Sequence, residues 1–335
     1  MNVSVVIVNW NGAPLLLECL DAVRAQSHPA LEVIVVDNGS VDESVEILRA
    51  YEWDRLKLIL LPENTGFAAG NNAAIKQAKG EVVALLNNDA VPDPDWLKAG
   101  LRGFQNPKVG MVACRVIRYY QRDQIDKVGH LMYADGLNRG CGTGTPNDER
   151  WDPHRETLWP DGCAGLYTMS MIREIGLLDE DFFLYGEDAE WGMRGRWAGF
   201  SCLYRSDSRV FHKHSVSLGK FSPNKVFYVE RNRIWLMVKT FPWTMILASP
   251  FYTFKRHFLN IWAVFSGSGS AGGFAAEHSK WQLMAVFFKA HWSAIKGLPL
   301  MLRKRKTVKR LITADEMKRT LKAHAIAARQ ITLSD

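Results

Sequence analysis

The chain has 335 residues, enough for one large domain or two smaller ones, and its 47% apolar content suits a globular protein with a substantial core. A formal charge of +7 points to an anionic partner, with nucleic acid, acidic lipid and phosphorylated substrates all open. The five cysteines (Cys19, Cys114, Cys141, Cys163 and Cys202) are scattered and form no C-x-x-C pair, which argues against a disulfide framework or zinc site and fits a reducing compartment.

The N-terminus runs straight into "VSVVIV", which reads as a first strand rather than a secretory signal. Short β-branched runs at 3–8, 31–36, 56–61 and 82–86 predict strands buried on both faces. Between them, residues 15–26, 44–51 and 68–78 carry apolar side chains at helical spacing. The alternation predicts an α/β fold with a Rossmann-like, mostly parallel central sheet flanked by helices.

Each strand ends in polar residues: "NWNG", "DNGSVD", "PENTGFAAGNN" and "NNDAVPD". Ligands of open α/β sheets bind outside the carboxyl ends of the strands, so four such ends in succession predict a nucleotide pocket, although each alone also reads as ordinary turn chemistry. Asp37 is placed to accept hydrogen bonds from a base or ribose. Gly66 and Gly70 flank a helix start whose N–H groups could approach phosphate. No G-x-G-x-x-G follows the first strand and no G-x-x-x-x-G-K-[ST] occurs, so dinucleotide and Walker-type sites are disfavoured. Asp89, just past a buried strand, suits a Mg²⁺ or Mn²⁺ that holds a diphosphate, since magnesium takes one or two protein carboxylates and completes its shell with phosphate and water.

Residues 118–159 lack periodicity and are expected to form loops, with "GCGTG" as a flexible turn. In "DGCAGLYTMS", the small residues Gly162, Cys163, Ala164 and Gly165 read either as a close approach for a ligand or as a tight lead into a strand. "FFLYGEDAEWGMR" then gathers Glu187, Asp188 and Glu190 at a helix start, where carboxylates are favoured by the exposed N–H groups. A lone histidine such as His212, after an apolar strand, serves many roles.

Taken in order, "VVIVNWNG", "VDNGSVDES", "NTGFAAGNN", "LLNNDAVPD", "GLLDEDFFLYGEDAEWGMR" and "FHKHSVSLGK" resemble family 2 inverting glycosyltransferases of GT-A fold, over roughly 3–239. They look most like the bacterial branch that includes rhamnosyltransferases of cell-surface polysaccharide assembly. The resemblance implies a nucleotide-diphosphate sugar donor, with dTDP-L-rhamnose the donor of that branch, a lipid-linked or surface-glycan acceptor, and Mg²⁺ or Mn²⁺. It implies that Asp37 contacts the nucleoside beside the backbone of Val8, Asn9 and Trp10, and that Asn64, Gly66 and Asn71 lie along the donor pocket. "NNDA" stands where the family has D-x-D, so Asp89 becomes the metal carboxylate, while Asn87 removes the charge of the first acidic position and Asn88 fills the middle, both along the donor. His212 matches the third metal position, with His214 the competing candidate.

By the same resemblance Asp188 is the base that takes the acceptor proton and Glu187 supports it. Helix capping by these carboxylates remains compatible with that role. Arg194, nearly two turns on, falls on much the same face and is expected to pair with a carboxylate. Gly162, Cys163 and Gly165 would lie under the acceptor. Met193 stands where processive synthases have the Gln of Q-x-x-R-W, which favours single additions.

The expected division is a catalytic domain at 1–240 and a helical C-terminal region at 241–335. "FPWTMILASPFYTF" is short and broken by Pro242 and Pro250, and "FLNIWAVFSGSGSAGGFAA" has a Gly/Ser-rich centre, so neither makes a convincing span. "WQLMAVFFKAHWSAIKGLPLMLRKRKTVKR" mixes aromatics with a basic run, the profile of a segment lying on an anionic membrane, or of a helical subdomain with a solvated tail. The expectation is a peripheral protein on the cytoplasmic side of the membrane that does not bind nucleic acid. A nucleotidyltransferase and a non-catalytic sugar-nucleotide-binding module are the competing readings.

Overall fold

Strand β1 (Val3–Asn9) is apolar on both faces because it runs inside a sheet with a parallel neighbour on each side. In this computed structural model, which describes residues 1–214, 222–266 and 279–333, β1 lies in the order β4-β1-β2-β3 with β2 (Glu32–Asn38), β3 (Leu56–Leu61) and β4 (Val82–Asn87), all parallel. Helices α1 (Ala13–Arg24), α2 (Ser44–Ala50) and α3 (Gly66–Ile75) make the crossovers. Helix α1 turns Leu16, Cys19, Leu20 and Val23 inward, where they join Val3, Val5, Ile7 and Val33 in one core. The strands and helices expected in this half are all present, with ends displaced by a few residues. Strand β3, however, expected to be buried on both faces, is the edge strand and stays half-exposed because no further strand covers it.

The register decides where the polar ends go. Asn9 pairs with Asp37, and Val8 with Asn87, so the loops after β1, β2 and β4 leave from one edge of the sheet.

Beyond β4 the sheet is mixed, in the order β10-β12-β6-β11-β4. Short β5 (Ala90–Pro92) follows β4 directly, helix α4 (Trp96–Leu101) comes next, and β6 (Val109–Arg118) is almost wholly buried. Strand β7 (Ile125–Lys127) turns back antiparallel on β6. Residues 118–159, expected as loops, also hold β8 (His130–Met132), β9 (Asn138–Gly140) and β10 (Arg155–Thr157). Three-residue strands are too short to leave a periodic signal. Strand β11 (Ala164–Thr168) inserts antiparallel between β4 and β6, with Ala164 opposite Leu86. Helices α5 (Met169–Ile175) and α6 (Glu187–Trp197) follow, and β12 (Ser201–His212) closes the sheet parallel to β6 and antiparallel to β5. The described cysteines are free thiols.

The chain divides into two compact units, Met1–His130 with Gly140–Ser215, and Leu131–Arg139 with Val216–Asp335. In the second, α7 (Pro223–Thr240) packs along α9 (Lys280–Thr307), where Trp235 Nε1 donates to the Ala294 carbonyl at 3.0 Å and its ring lies over Gly297. Helix α8 (Trp243–Ser266) begins after Pro242 and continues through Pro250. Two shorter helices, α10 (Ala314–Ala323) and α11 (Ala328–Leu333), end the described chain. A buried net of four charges ties this unit together. Arg256 donates to Asp135 and Glu230, both at 2.7 Å, and Arg233 donates to Glu230 at 2.7 Å. The Gly/Ser-rich segment at 267–278 and the whole of "SVSLGK" lie outside the described residues.

Candidate active site

At the carboxyl edge of the sheet, a chain of side-chain hydrogen bonds joins three strand ends. Asn88 donates to Asn9 Oδ1 at 2.7 Å, and Asn9 donates to Asp37 Oδ2 at 3.0 Å. The other Asp37 oxygen accepts from the Ser40 N–H at 3.0 Å, so this buried carboxylate is held on both sides. Gly12 permits the closure: a Cβ there would come within 2.2 Å of the Asn88 amide. Val8, Trp10 and Asn87 sit half-buried around this chain.

The start of α3 turns out to be engaged by the protein itself. The Thr65 N–H donates to Asn38, the Gly66 N–H to Asn64, and the Phe67 N–H to the Phe183 carbonyl at 2.7 Å. Gly66 has φ +87°, and a Cβ on it would meet that carbonyl at 2.5 Å. Gly66 therefore seats the segment that carries the acidic cluster rather than offering a bare cradle for phosphate. Gly70 lets α3 approach Val8, and Asn71 bonds back within its own helix to Phe67.

Asp89 and His212 come together because β5, which follows Asp89, pairs with the end of β12, where Ala90 lies opposite His212. His212 Nε2 lies 3.3 Å from Asp89 Oδ1, and its Nδ1 lies 2.8 Å from Asp126 Oδ2. His214 Nε2 reaches the other Asp126 oxygen at 2.9 Å. Burial works against charge on the His212 ring, yet Cys163, Asp126 and Asp89 outweigh it and hold the imidazole well above its usual range. The pocket thus already favours positive charge. Two atoms sharing an octahedral ion at about 2.1 Å stand about 3 Å apart, so the carboxylate and imidazole are spaced as ligands of one cation, and the residues fit such an ion.

Residues 161–163 link this pair to the acidic cluster. They precede β11, which lies beside β4, so they cross the sheet edge next to Asn87, whose N–H donates to the Cys163 carbonyl at 2.9 Å. The Cys163 thiol faces His212. At the other end the Gly162 N–H points at Asp188 Oδ2, 3.3 Å away. Asp161 pairs with Lys127 at 2.9 Å and with His130 at 3.4 Å. The ligating atoms of His130, Asp161 and Asp188 lie within 4.8 Å of one another. Lys127 offsets one of the two carboxylate charges in this second group.

Helix α6 opens on Gly186 in the left-handed conformation, after Phe183 and Tyr185, which also hold positive φ. Such backbone costs energy and persists only where packing enforces it. The turn brings both Glu187 and Asp188 into a low-dielectric setting. Burial raises the Asp188 carboxyl, His130 pulls it back and Asp161 adds to the rise, leaving it above the ordinary value. Burial, and then Asp188, push Glu187 well above the carboxylate range, and Glu187 Oε2 is buried without a hydrogen-bond partner. Arg194 does pair with a carboxylate, but with Glu190 at 2.7 Å rather than with Asp188, and it also donates to the carbonyls of residues 175–177. It anchors α6 to the end of α5. Gly165 packs against Pro160.

Sequence reasoning missed Asp126, Lys127, His130 and Asp161. The first three fall in the aperiodic segment where no motif marks them, and Asp161 stood unnoticed beside the small residues of its own motif.

Residues 4–167 match the family model of glycosyl transferase family 2. Among curated proteins, the chain is 36% identical over 218 residues to glycosyltransferase AglE of Haloferax volcanii, covering 61% of this chain and 64% of that protein. It is 28% identical over 258 residues to the O-antigen biosynthesis protein RfbC of Myxococcus xanthus, covering 74% of this chain. The chain spans only a fifth of that protein. Among solved structures, the mannosyltransferase PcManGT of Pyrobaculum calidifontis in complex with GDP-Man and Mn²⁺ superposes with TM-score 0.55 at 19% identity, covering 96% of this chain and 87% of that one. S. aureus TarS 1-349 in complex with UDP gives TM-score 0.55 at 18% identity, covering 96% and 91%. The fold is GT-A, with helices flanking the mixed sheet and a helical C-terminal extension.

Proposed function

We propose that this chain, whose residues 4–167 match glycosyl transferase family 2, moves a sugar from a nucleoside-diphosphate donor to an acceptor hydroxyl with inversion at the anomeric carbon. The observation that carries the reading is the segment 161–163, with Asp188 at one end and His212 beside Asp89 at the other. Inverting displacement needs a base on one side of the reacting carbon and charge stabilisation for the leaving group on the other.

Asp188 takes the acceptor proton. Its raised pKa makes the carboxylate a stronger base than an exposed aspartate. Gly162 keeps the backbone open beside it, since the nearest side chains to where its own would begin are Phe67 at 3.4 Å and Asp188 at 3.8 Å, ordinary contact distances. Asp89 and His212 would hold a divalent cation, which when bound would neutralise the charge growing on the departing diphosphate. An imidazole in the set suits a transition ion, so Mn²⁺ is preferred to Mg²⁺. The Asn88–Asn9–Asp37 chain, with Val8 and Trp10, forms the nucleoside side.

The proposed donor is dTDP-L-rhamnose, on the likeness of the motifs to rhamnosyltransferases. The proposed acceptor is a lipid-linked or surface glycan, a choice supported by the relative named for O-antigen biosynthesis. The test is to incubate the purified protein with a panel of sugar nucleotides and Mn²⁺, with and without glycan acceptors, and to read donor loss and product configuration by NMR. Turnover of dTDP-L-rhamnose with inversion is expected. Retained configuration removes the mechanism, use of other sugar nucleotides alone removes the donor, and no consumption of any donor removes the transfer reading.

A further inference from the structure

Helix α8 presents Trp243, Leu247, Phe251, Phe254, Phe258 and Ile261 to solvent, a spacing of three and four that draws one stripe along the helix. Leu247 is 78% exposed and Phe254 72%. Helix α9 repeats the pattern with Trp281, Met284, Phe288, Trp292 and Ile295. The helices run antiparallel and touch. The Arg305 guanidinium lies 4.3 Å from the Trp243 ring centre, and the His257 ring lies 5.4 Å from Phe287 and 5.9 Å from His291. His257, Phe287 and His291 each border their own helix's stripe, so the two helices meet along the margins of both. Contiguous exposed apolar surface on this scale marks an interaction site.

Charge indicates what covers it. Residues 231–314 contain fourteen Lys and Arg against a single acid, Glu277. Lys255, Lys289, Lys296, Arg303 and Lys306 are exposed on these two helices. A second copy docking here would set like charge against like. An anionic bilayer surface accommodates both features: aromatic and aliphatic side chains enter the boundary between headgroups and acyl chains, while lysine and arginine meet lipid phosphates. Lys296 already folds over the Trp292 ring, its ammonium 5.4 Å from the centroid, as a side chain does when its stem is covered and its head stays wet. Among the described residues no helix is long and apolar enough to cross a membrane.

We propose that α8 and α9 form a docking surface for an anionic phospholipid bilayer, lying in the interface with both apolar stripes turned inward. This goes beyond the transfer reading and stands apart from it. The test is co-sedimentation of the full chain with extruded vesicles of phosphatidylcholine alone or with phosphatidylglycerol, without donor or acceptor. Binding to the anionic vesicles should be stronger by at least on the order of tenfold and should weaken with salt. The triple variant Phe251→Ser, Phe254→Ser, Phe258→Ser and the charge variant Lys289→Glu, Arg303→Glu, Lys306→Glu should each release it, with circular dichroism unchanged because these side chains are exposed. Absence of vesicle binding, binding indifferent to both variants, or a dimer in sedimentation that the triple variant breaks while vesicles are ignored would each overturn the proposal. Transfer to a water-soluble acceptor is measured separately, so either idea can fail alone.

Discussion

Asp126 Oδ2 accepts a hydrogen bond from His212 Nδ1 at 2.8 Å, which turns the other ring nitrogen toward Asp89. A carboxylate behind a ligating histidine fixes the ring's tautomer and orientation and raises its basicity. Asp126→Asn keeps the size of the side chain and removes its charge. Mn²⁺ affinity, measured by calorimetry in the presence of nucleoside diphosphate, should fall by roughly 10–100-fold. Unchanged affinity would show that Asp126 serves only to pack β7 against β12.

Asp188→Asn leaves a side chain of the same shape that cannot accept a proton. Turnover should drop by roughly 10²–10⁴-fold, while the thermal stabilisation given by donor with Mn²⁺ is retained. Loss of donor binding in step with turnover would assign Asp188 to binding instead.

The same residue sets an expectation for pH. Burial and Asp161 raise its carboxyl above the ordinary aspartate value of about 3.9. The base works only when ionised, so kcat/KM should be full above the raised value and fall as pH drops through it. An acid limb centred at or below about pH 4 would sink this account.

Gly66 and Gly162 make a contrast. Gly66 is at φ +87° with its would-be Cβ 2.5 Å from the Phe183 carbonyl, and Gly162 has its nearest neighbour, Phe67, at 3.4 Å. Gly66→Ala should cost about 1–3 kcal/mol in denaturant melts and disturb the 183–187 turn. Gly162→Ala should be within about 0.5 kcal/mol of the native protein. Equal costs would mean that the turn before α6 is not held by Gly66.

In the second unit, Glu230 is buried between Arg233 and Arg256, which overcome the burial penalty and hold its carboxyl far below the usual range. Glu230→Gln leaves two buried guanidiniums short of a counter-charge and should cost about 3–5 kcal/mol, read by chemical denaturation. A cost under about 1 kcal/mol would show that water or Asp135 compensates.

The sequence by itself determined the first half of the sheet. Residues 3–8, 32–36 and 82–86 are largely buried by neighbours close in the chain order, and that burial is written as apolar runs rich in β-branched residues that end in Asn and Asp. Residues 56–61 read the same way yet form the half-exposed edge strand β3. Asp89, Asp188 and His212, whose roles are those proposed above, each stand in a contiguous motif and so can be singled out from the sequence. Only the tertiary structure decided how these residues meet. Asp126 and His212 are 86 positions apart, and they come into contact because β6 lies between β7 and β12. Arg194 was expected on the face of Asp188, but its guanidinium is taken by Glu190, one turn back, and by carbonyls at the end of α5. Gly66 was read toward phosphate, and it is Phe183, over a hundred residues away, that occupies the space its missing side chain leaves. Strand pairing is non-local, so it sets these contacts without leaving a periodic trace at either partner.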